Sequence, residues 1–134
     1  MPTIFTRIIE GEIPGTFVHR DEHCVVFLSI NPLAPGHALV VPIVEVEHWV
    51  DLPEDLAAHL FAVAHRIGRA QQRAFAPEKV GLIIAGYEVP HTHVHVIPTT
   101  SMHQLNFANA AASVSRNDLE AAAEAIREAL DEEG

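Results

Sequence analysis

Cysteine is almost absent from this chain. Cys24 is the only one among 134 residues, which excludes an internal disulfide and any metal site built from several cysteines. Long hydrophobic runs are absent too, because polar residues interrupt the apolar stretches, so the sequence predicts no membrane span. The first seven residues, MPTIFTR, lack the basic start and long apolar stretch of a signal peptide. We therefore expect a cytoplasmic protein with no membrane partner.

Basic residues are also scarce, with 8 Lys and Arg against 18 Asp and Glu, for a formal net charge of −10. The residues from Asn117 onward contain seven acids and one base, so they carry −6 of this charge. Such a surface repels a polymer of phosphates, which argues against a nucleic acid partner. A small phosphate ester stays compatible with this charge, because a local site can oppose the overall field.

The residues that are present predict one α+β domain. A length of 134 residues and an apolar content of 49% suit a single domain with a substantial core. Apolar residues at steps of three and four predict a long helix over about residues 52–75, with Asp51 and Glu54 as its capping box. Similar spacing predicts a short N-terminal helix over Thr3–Glu12 and a C-terminal helix that Asn117 caps.

Five short strands are predicted around the long helix. Polar turns and the tight loop Asn31–Gly36 separate several of them. Connections of hairpin length favour an antiparallel sheet, and pairing an exposed sheet edge in a symmetric dimer is a common solution. The predicted strands are Phe17–Arg20, Cys24–Ser29, His37–Pro42, Lys79–Ala85 and Thr92–Pro98.

One segment, HTHVHVIP at residues 91–98, alternates histidine with small and apolar residues. Alternation with a period of two is strand geometry, so His91, His93 and His95 are expected on one face of a strand. Charged imidazoles in such a row would repel one another, so most of them must be neutral near pH 7. A neutral imidazole can act as a nucleophile, a hydrogen-bond donor or a metal ligand.

A metal site and covalent catalysis are the two interpretations of this row. Three histidines supply part of a zinc ligand set and His37 is a possible further ligand, but residues 97–99 offer no additional acidic ligand. Attack of a neutral imidazole on a phosphorus atom fits better, because a neighbouring histidine can give a proton to the leaving group. No Lys or Arg lies within ten residues of the row, so we expect histidines and backbone N–H groups to meet the phosphate charge.

These residues resemble the signature of the histidine triad (HIT) superfamily, in which three histidines alternate with apolar residues; Thr92 is the one departure within the motif. Three earlier blocks are similar to the family's and follow its order: TIF to IP over residues 3–14, FLSINP over 27–32 and PGHALVVP over 35–42. The resemblance covers about residues 3–100 of the chain and is closest in length to the Hint-like branch.

The resemblance implies one HIT domain over residues 1–134, with a core at about 3–100 and a C-terminal extension whose helix covers about 117–132. The implied fold is a five-stranded antiparallel sheet with one long helix, a short N-terminal helix and a C-terminal helix, in a homodimer whose sheets join. The implied activity is that of a nucleotide phosphoramidase or hydrolase, which acts at the α-phosphate of a purine nucleotide, a nucleoside phosphoramidate or a dinucleotide. A nucleotide-binding protein with weak or altered catalysis is the alternative, followed by a metal-binding protein; no cofactor is implied.

The family's functional residues carry over by position. His93 would attack the phosphorus and become nucleotidylated, and His95 would contact the phosphate and the bridge to the leaving group. His91 and His37 would orient this pair from behind. The residues implied for the nucleotide pocket are Ile4, Phe5, Ile8, Phe27, Ser29, Ile30 and Glu88.

Several positions near the triad differ from the family's pattern. Ser29 stands where an acidic residue often holds the ribose hydroxyls, and a hydroxyl makes a weaker hydrogen bond than a carboxylate. The segment 83–90 is shorter than the usual phosphate loop, with Tyr87 in place of a glutamine. Glu88 replaces a small hydroxyl residue, so it would repel a phosphate unless it points away or favours a substrate with a basic group.

The zinc-binding subset of the family carries cysteines near the N-terminus and a histidine shortly after the proline that ends the third strand. The comparable residues here are Phe5-Thr6-Arg7, without a thiol, and Glu45. We therefore expect no structural zinc at this place.

Overall fold

The structure, a computed structural model, describes residues 2–133, with Glu133 described by its backbone alone. This range forms five strands and three α-helices, and its loops contain short 3₁₀ turns at Trp49–Asp51, Met102–Leu105 and Phe107–Asn109. None of the helices within the described range is long and apolar enough to cross a membrane. In chain order the elements are α1 (Ile4–Ile9), β1 (Phe17–Arg20), β2 (Cys24–Leu28), β3 (Ala38–Pro42), α2 (Glu54–Phe75), β4 (Lys79–Ile83), β5 (Val94–Thr99) and α3 (Arg116–Glu133).

The five strands form one antiparallel sheet in the order β1-β2-β3-β5-β4. β2 pairs with β3 along its whole length, from Cys24 opposite Pro42 to Leu28 opposite Ala38, whereas β3 pairs with β5 over three residues only. β5 then pairs with every residue of β4. The predicted α+β fold with a five-stranded antiparallel sheet is confirmed, and β1 and β4 form its two edges.

Helices cover both faces of this sheet, because successive side chains of a strand point to opposite sides. On one face, Val26 and Val40 lie in a core with α2 and α3. On the other face, Phe27 and Leu39 pack with Phe5 of α1. α1 is much shorter than α2, so the second face leaves room for a cavity beside it.

The long helix α2 has the predicted apolar stripe but a different start. Leu60 and Ile67 are at most 2% exposed and face the sheet core. Asp51 lies in a 3₁₀ turn of its own, and α2 begins after Pro53 without a side-chain cap. The predicted capping box is therefore wrong, because the proline separates Asp51 from the first helical turn and its unpaired amides.

Ser115, rather than the predicted Asn117, caps α3. The Oγ of Ser115 accepts the backbone amide of Asp118 at 3.1 Å, which is the bond that an N-cap residue makes. The helix begins at Arg116, so Asn117 lies inside the first turn, and the prediction that it caps the helix is wrong.

The N-terminal helix α1 is shorter than the predicted segment 3–12. The Oγ1 of Thr3 accepts the amide of Thr6 at 3.1 Å and caps its start. The helix ends at Ile9, because Gly11 has a φ of +85° and turns the chain away.

The strand predicted over residues 92–98 begins only at Val94. β3 pairs with β5 no further than Val94, and the chain before this point leaves the sheet. There the amide and Oγ1 of Thr92 donate to the carbonyl oxygen of Val46 at 2.8 and 2.7 Å. The expectation of three histidines on one regular strand is therefore wrong: His95 lies in β5, and the other two stand in the segment that precedes it.

Candidate active site

A cavity of about 720 Å³ opens on the α1 face of the sheet. α1, the end of β2 and residues between 107 and 119 form its walls. His37, His93 and His95 line it, whereas His91 is fully buried behind them and does not. All seven residues predicted for the nucleotide pocket line the same cavity, namely Ile4, Phe5, Ile8, Phe27, Ser29, Ile30 and Glu88.

The ring of His93 is held in one tautomer. Its Nδ1 lies 2.7 Å from the backbone carbonyl oxygen of His91. A carbonyl oxygen only accepts, so Nδ1 carries the proton and donates it. Phe5 packs edge-on against the ring, with 4.9 Å between the ring centroids. In the neutral ring Nε2 is therefore left with its lone pair.

A chain of hydrogen bonds fixes His95 in the opposite tautomer. The backbone amide of Leu33 donates to Nδ1 of His37 at 3.0 Å, so a neutral His37 carries its proton on Nε2. That Nε2 lies 2.9 Å from Nδ1 of His95 and donates to it. The remaining proton of a neutral His95 must then lie on its own Nε2. His37 thus supports His95, whereas His91 supports His93.

Burial keeps all three rings neutral, as these tautomers require. It lowers the pKa of His37 to about 4. Burial, together with the neighbouring rings of His93 and His37, lowers the pKa of His95 to about 3. Burial also lowers the pKa of His93 below its ordinary value. Near pH 7 the site therefore contains a lone pair on one ring and an N–H on the next, with 4.8 Å between their centroids.

The buried ring of His91 joins the triad to the start of α1. Its Nε2 donates to the carbonyl oxygen of Pro42 at 2.7 Å, and its Nδ1 accepts from Oγ1 of Thr3 at 2.7 Å. One carboxylate oxygen of Glu45 accepts from the amide of Thr3 at 2.8 Å and from Oγ1 of Thr6 at 2.6 Å. This hydrogen-bonded cluster fixes the backbone whose carbonyl orients His93.

Of the three residues near the triad that depart from the family's pattern, Glu88 and Ser29 line the cavity and Tyr87 does not. Glu88 lines the cavity, and while burial lowers the pKa of His93, the Glu88 carboxylate partly opposes that shift. Glu88 is therefore close enough for its charge to act on His93. Tyr87 is 98% exposed and is not part of the cavity wall. The Oγ of Ser29 accepts the amide of Asn31 at 3.1 Å, which leaves its O–H free to donate.

Several residues of the cavity wall were not predicted, and Phe107 and Arg116 are two of them. The ring of Phe107 lies on His95, with 4.8 Å between the ring centroids, and Arg116 contributes to the wall. The side-chain Nδ2 of Asn31 holds this C-terminal segment in place, because it donates to the carbonyl oxygens of residues 111 and 112 at 3.3 and 2.9 Å. Arg116 is thus a basic residue of the cavity wall, although it lies far along the chain from the triad.

Comparison with known proteins identifies the family of this chain. Residues 10–102 match the family model for the HIT domain, so the chain belongs to the HIT family. It is 36% identical over 100 residues to Protein hit of Bacillus subtilis, a match that covers 71% of this chain and 69% of that protein. It is 30% identical over 100 residues to adenylylsulfatase HINT3 of Arabidopsis thaliana, over 71% of this chain and 51% of that protein.

A solved structure confirms the predicted fold. The crystal structure of a Zn-bound histidine triad family protein from Mycobacterium smegmatis superposes with a TM-score of 0.83. The two chains are 27% identical, and the match covers 96% of this chain and 93% of the other. Proteins of this family are of the nucleotide-binding and nucleotide hydrolase type, which is the class that the triad predicts.

A zinc ion at the start of α1 does not fit the residues of this chain. The groups available there are the hydroxyls of Thr3 and Thr6, the carboxylate of Glu45 and the ring of His91. Zinc in proteins is bound by thiolates, imidazoles and carboxylates, and not ordinarily by hydroxyls. Both nitrogens of His91 are already hydrogen-bonded, so the cluster is closed by its own bonds.

Stability should fall as the pH is lowered from 7 toward 4. The folded protein keeps His37 and His95 neutral, whereas an imidazole of the unfolded chain binds a proton below a pKa of about 6.5. Because the unfolded state then binds more protons, the free energy of unfolding falls by at most about 1.4 kcal/mol per pH unit for each ring. Urea unfolding at pH 7 and pH 5 measures this fall, which we expect to be smaller in His37→Gln. An equal fall in both proteins would contradict the neutral rings.

Proposed function

We propose that this protein is a nucleotide phosphoramidase or hydrolase that forms a covalent nucleotidyl intermediate on His93. The observation that carries the proposal is the pair of fixed tautomers, an unprotonated Nε2 on His93 beside a protonated Nε2 on His95. Attack on phosphorus needs a nucleophile and a hydrogen-bond donor that reach one phosphoryl group together. The name of the HINT3 relative, adenylylsulfatase, is consistent with transfer of an adenylyl group.

The cavity suits a mononucleotide. Its volume of about 720 Å³ lies within the range of about 300–1,000 Å³ that is usual for small-molecule sites. A purine base would lie against the apolar wall around Phe5 and Phe27, where a flat ring buries well. Ser29 would donate its free O–H to the ribose. The N–H of His95 and the guanidinium of Arg116 would meet the charge of the α-phosphate.

The reaction would proceed in two displacements. Nε2 of His93 attacks the α-phosphorus while the bond to the leaving group breaks, and the electron pair of that bond departs with the leaving group. Nδ1 keeps its proton, so the ring becomes a nucleotidylated cation that the carbonyl of His91 stabilises. Water then attacks the phosphorus, the bond to Nε2 breaks with its electron pair returning to the ring, and a proton passes to solvent.

A P–N bond suits this site better than a polyphosphate. His95 is a neutral donor whose Nδ1 is occupied by His37, so it stabilises the leaving group by a hydrogen bond without supplying a net proton. A phosphoramidate whose bridging nitrogen is already protonated leaves as a neutral amine and needs none. The carboxylate of Glu88 in the cavity wall would attract that cationic nitrogen and repel additional phosphates.

Replacing His93 with Ala should abolish the intermediate. Mixed with an adenosine phosphoramidate, the unaltered protein should carry an adenylyl group on the peptide that contains His93, as detected by mass spectrometry. The variant should lack the adduct and hydrolyse the substrate at least about a hundredfold more slowly. His65→Ala, an exposed change on α2, should keep both adduct and rate. Hydrolysis by His93→Ala at the parent rate would refute the mechanism, and nucleotide binding without adduct or turnover in the parent would favour a binding protein instead.

Replacing Glu88 with Gln should change the choice of leaving group. We expect kcat/KM for an adenosine phosphoramidate with an alkylamine leaving group to fall about tenfold, because an attraction of about 1.4 kcal/mol to the cationic nitrogen is lost. For an aryl ester of adenosine monophosphate, whose leaving group carries no positive charge, kcat/KM should stay the same or rise. An equal fall for both substrates would show that Glu88 does not act on the leaving group.

We also infer a homodimer that forms through β4. This strand is an edge of the sheet, and Leu82 and the adjoining Ile84 are 43% and 41% exposed. An uncovered edge strand with apolar side chains is a template for pairing with a second chain, and two-fold pairing would join the two sheets.

The cytoplasmic location stays a prediction from the sequence.

Replacing Leu82 with Lys should shift the protein from dimer to monomer, because a charge on each copy would oppose pairing of the two edges. Light scattering coupled to size-exclusion chromatography measures the mass directly. The matched control is Val50→Lys, at a position that is 61% exposed and lies outside β4, which should leave the mass unchanged. A parent protein of monomer mass, or an unaltered dimer in Leu82→Lys, would overturn this assembly.

A further inference from the structure

A second cluster of histidines lies on the other face of the sheet, away from the triad. His19 near the end of β1, Asp21 in the turn that follows and Cys24 at the start of β2 meet His59 of α2. Nε2 of His19 lies 2.7 Å from Oδ2 of Asp21, and Nε2 of His59 lies 2.9 Å from the same oxygen. Sγ of Cys24 is 3.6 Å from that oxygen as well. Two imidazoles and a thiol thus converge on one carboxylate oxygen.

The turn between β1 and β2 explains only half of this arrangement. Oδ1 of Asp21 accepts the backbone amides of His23 and Cys24 at 2.7 and 2.9 Å, which is the ordinary way in which an aspartate closes a turn. The three side chains that contact Oδ2 are not needed to close the turn. They come from three separate elements, and they are all groups that bind transition metals.

We propose that His19, Asp21, Cys24 and His59 form a binding site for Zn²⁺. The ligand atoms of the first three lie within 4.8 Å of one another. His59 stands outside that group but contacts Asp21 at 2.9 Å, and it would move inward as the fourth ligand. Ligands of a tetrahedral zinc, with bonds of about 2.0–2.3 Å, stand about 3.3–3.8 Å apart. To admit the ion, the hydrogen-bonded atoms need to separate by about an ångström, and the ring of His59 needs to approach the other ligands.

The charges of the site also suit a divalent cation. Sγ–H of Cys24 donates to Oδ2 of Asp21 at 3.6 Å, and a cation bound at this place would displace that proton. Binding would release that proton and form an S–Zn bond, and both imidazoles would bind through Nε2 with their protons on Nδ1. Two neutral rings, one carboxylate and one thiolate give a charge of −2, which Zn²⁺ neutralises.

The ion has a route to these ligands. The side chains of His19, Asp21 and His59 are 17%, 26% and 34% exposed, so three ligands reach the surface. Cys24 is buried beneath them in the α2 core, where it would form the inner ligand. None of the four lines the triad cavity, so this site and the proposed reaction can be tested separately.

Metal titration of the full chain tests the proposal. The protein is stripped with a chelator and dialysed, then titrated with Zn²⁺ in competition with a chromophoric chelator and separately with Co²⁺. We expect one equivalent of Zn²⁺, and a near-ultraviolet absorption from a cobalt–thiolate bond that disappears in Cys24→Ser. Loss of a ligand in His59→Gln should weaken Zn²⁺ binding more than about tenfold, since even partners outside the ligand shell contribute 10–100-fold.

Matched variants decide where a bound ion lies. His65→Gln, six residues further along α2 and exposed, should bind Zn²⁺ as the parent does, and so should His93→Ala. His59→Gln should still form the adduct on His93, and circular dichroism checks that each variant is folded. Absence of stoichiometric Zn²⁺, binding that survives both His59→Gln and Cys24→Ser, or binding lost in His93→Ala would each overturn this site.

Discussion

One hydrogen bond, from Nδ1 of His93 to the backbone carbonyl of His91, determines the chemical state of the site. That carbonyl is available because the chain leaves the sheet before Val94; in a continuous strand it would be a candidate for pairing with a neighbouring strand. The departure is held by Thr92, which donates to the carbonyl of Val46, and by the buried ring of His91. A local break in the sheet thus supplies the group that leaves a lone pair on His93.

The two-sided core makes this arrangement rigid. α2 and α3 cover one face of the sheet, so β3 and β5 are fixed from behind. α1 covers part of the other face, and Phe5 packs against both Phe27 and His93. The same aromatic side chain therefore belongs to the core and to the cavity wall. Burial by these neighbours lowers the pKa of the cavity-lining histidines, which keeps them neutral in a chain whose net charge is strongly negative.

Periodic apolar patterns predicted most of the helices and strands. Features that depend on contacts between residues distant in the chain could not be predicted from these patterns. The stripe on α2 identified that helix because burial on one face requires such spacing. The alternation around the triad predicted a strand from residue 92, yet where a strand begins depends on how far its neighbour pairs, which local alternation does not encode. Phe107 and Arg116 were missed because they lie in a segment without periodicity, and only the folded chain carries them to the cavity. His37 was placed by family resemblance, and its link to His95 appeared only in the structure.

The tautomers of the cavity histidines test the central claim most directly. Long-range ¹H–¹⁵N NMR spectra of the uniformly labelled protein at pH 7 report which ring nitrogen of each histidine carries a proton. We predict the Nδ1–H form for His93 and the Nε2–H form for His95 and His37, with assignments made from single His→Gln variants. An Nε2–H form of His93, or a doubly protonated ring on His93 or His95 at pH 7, would contradict the account.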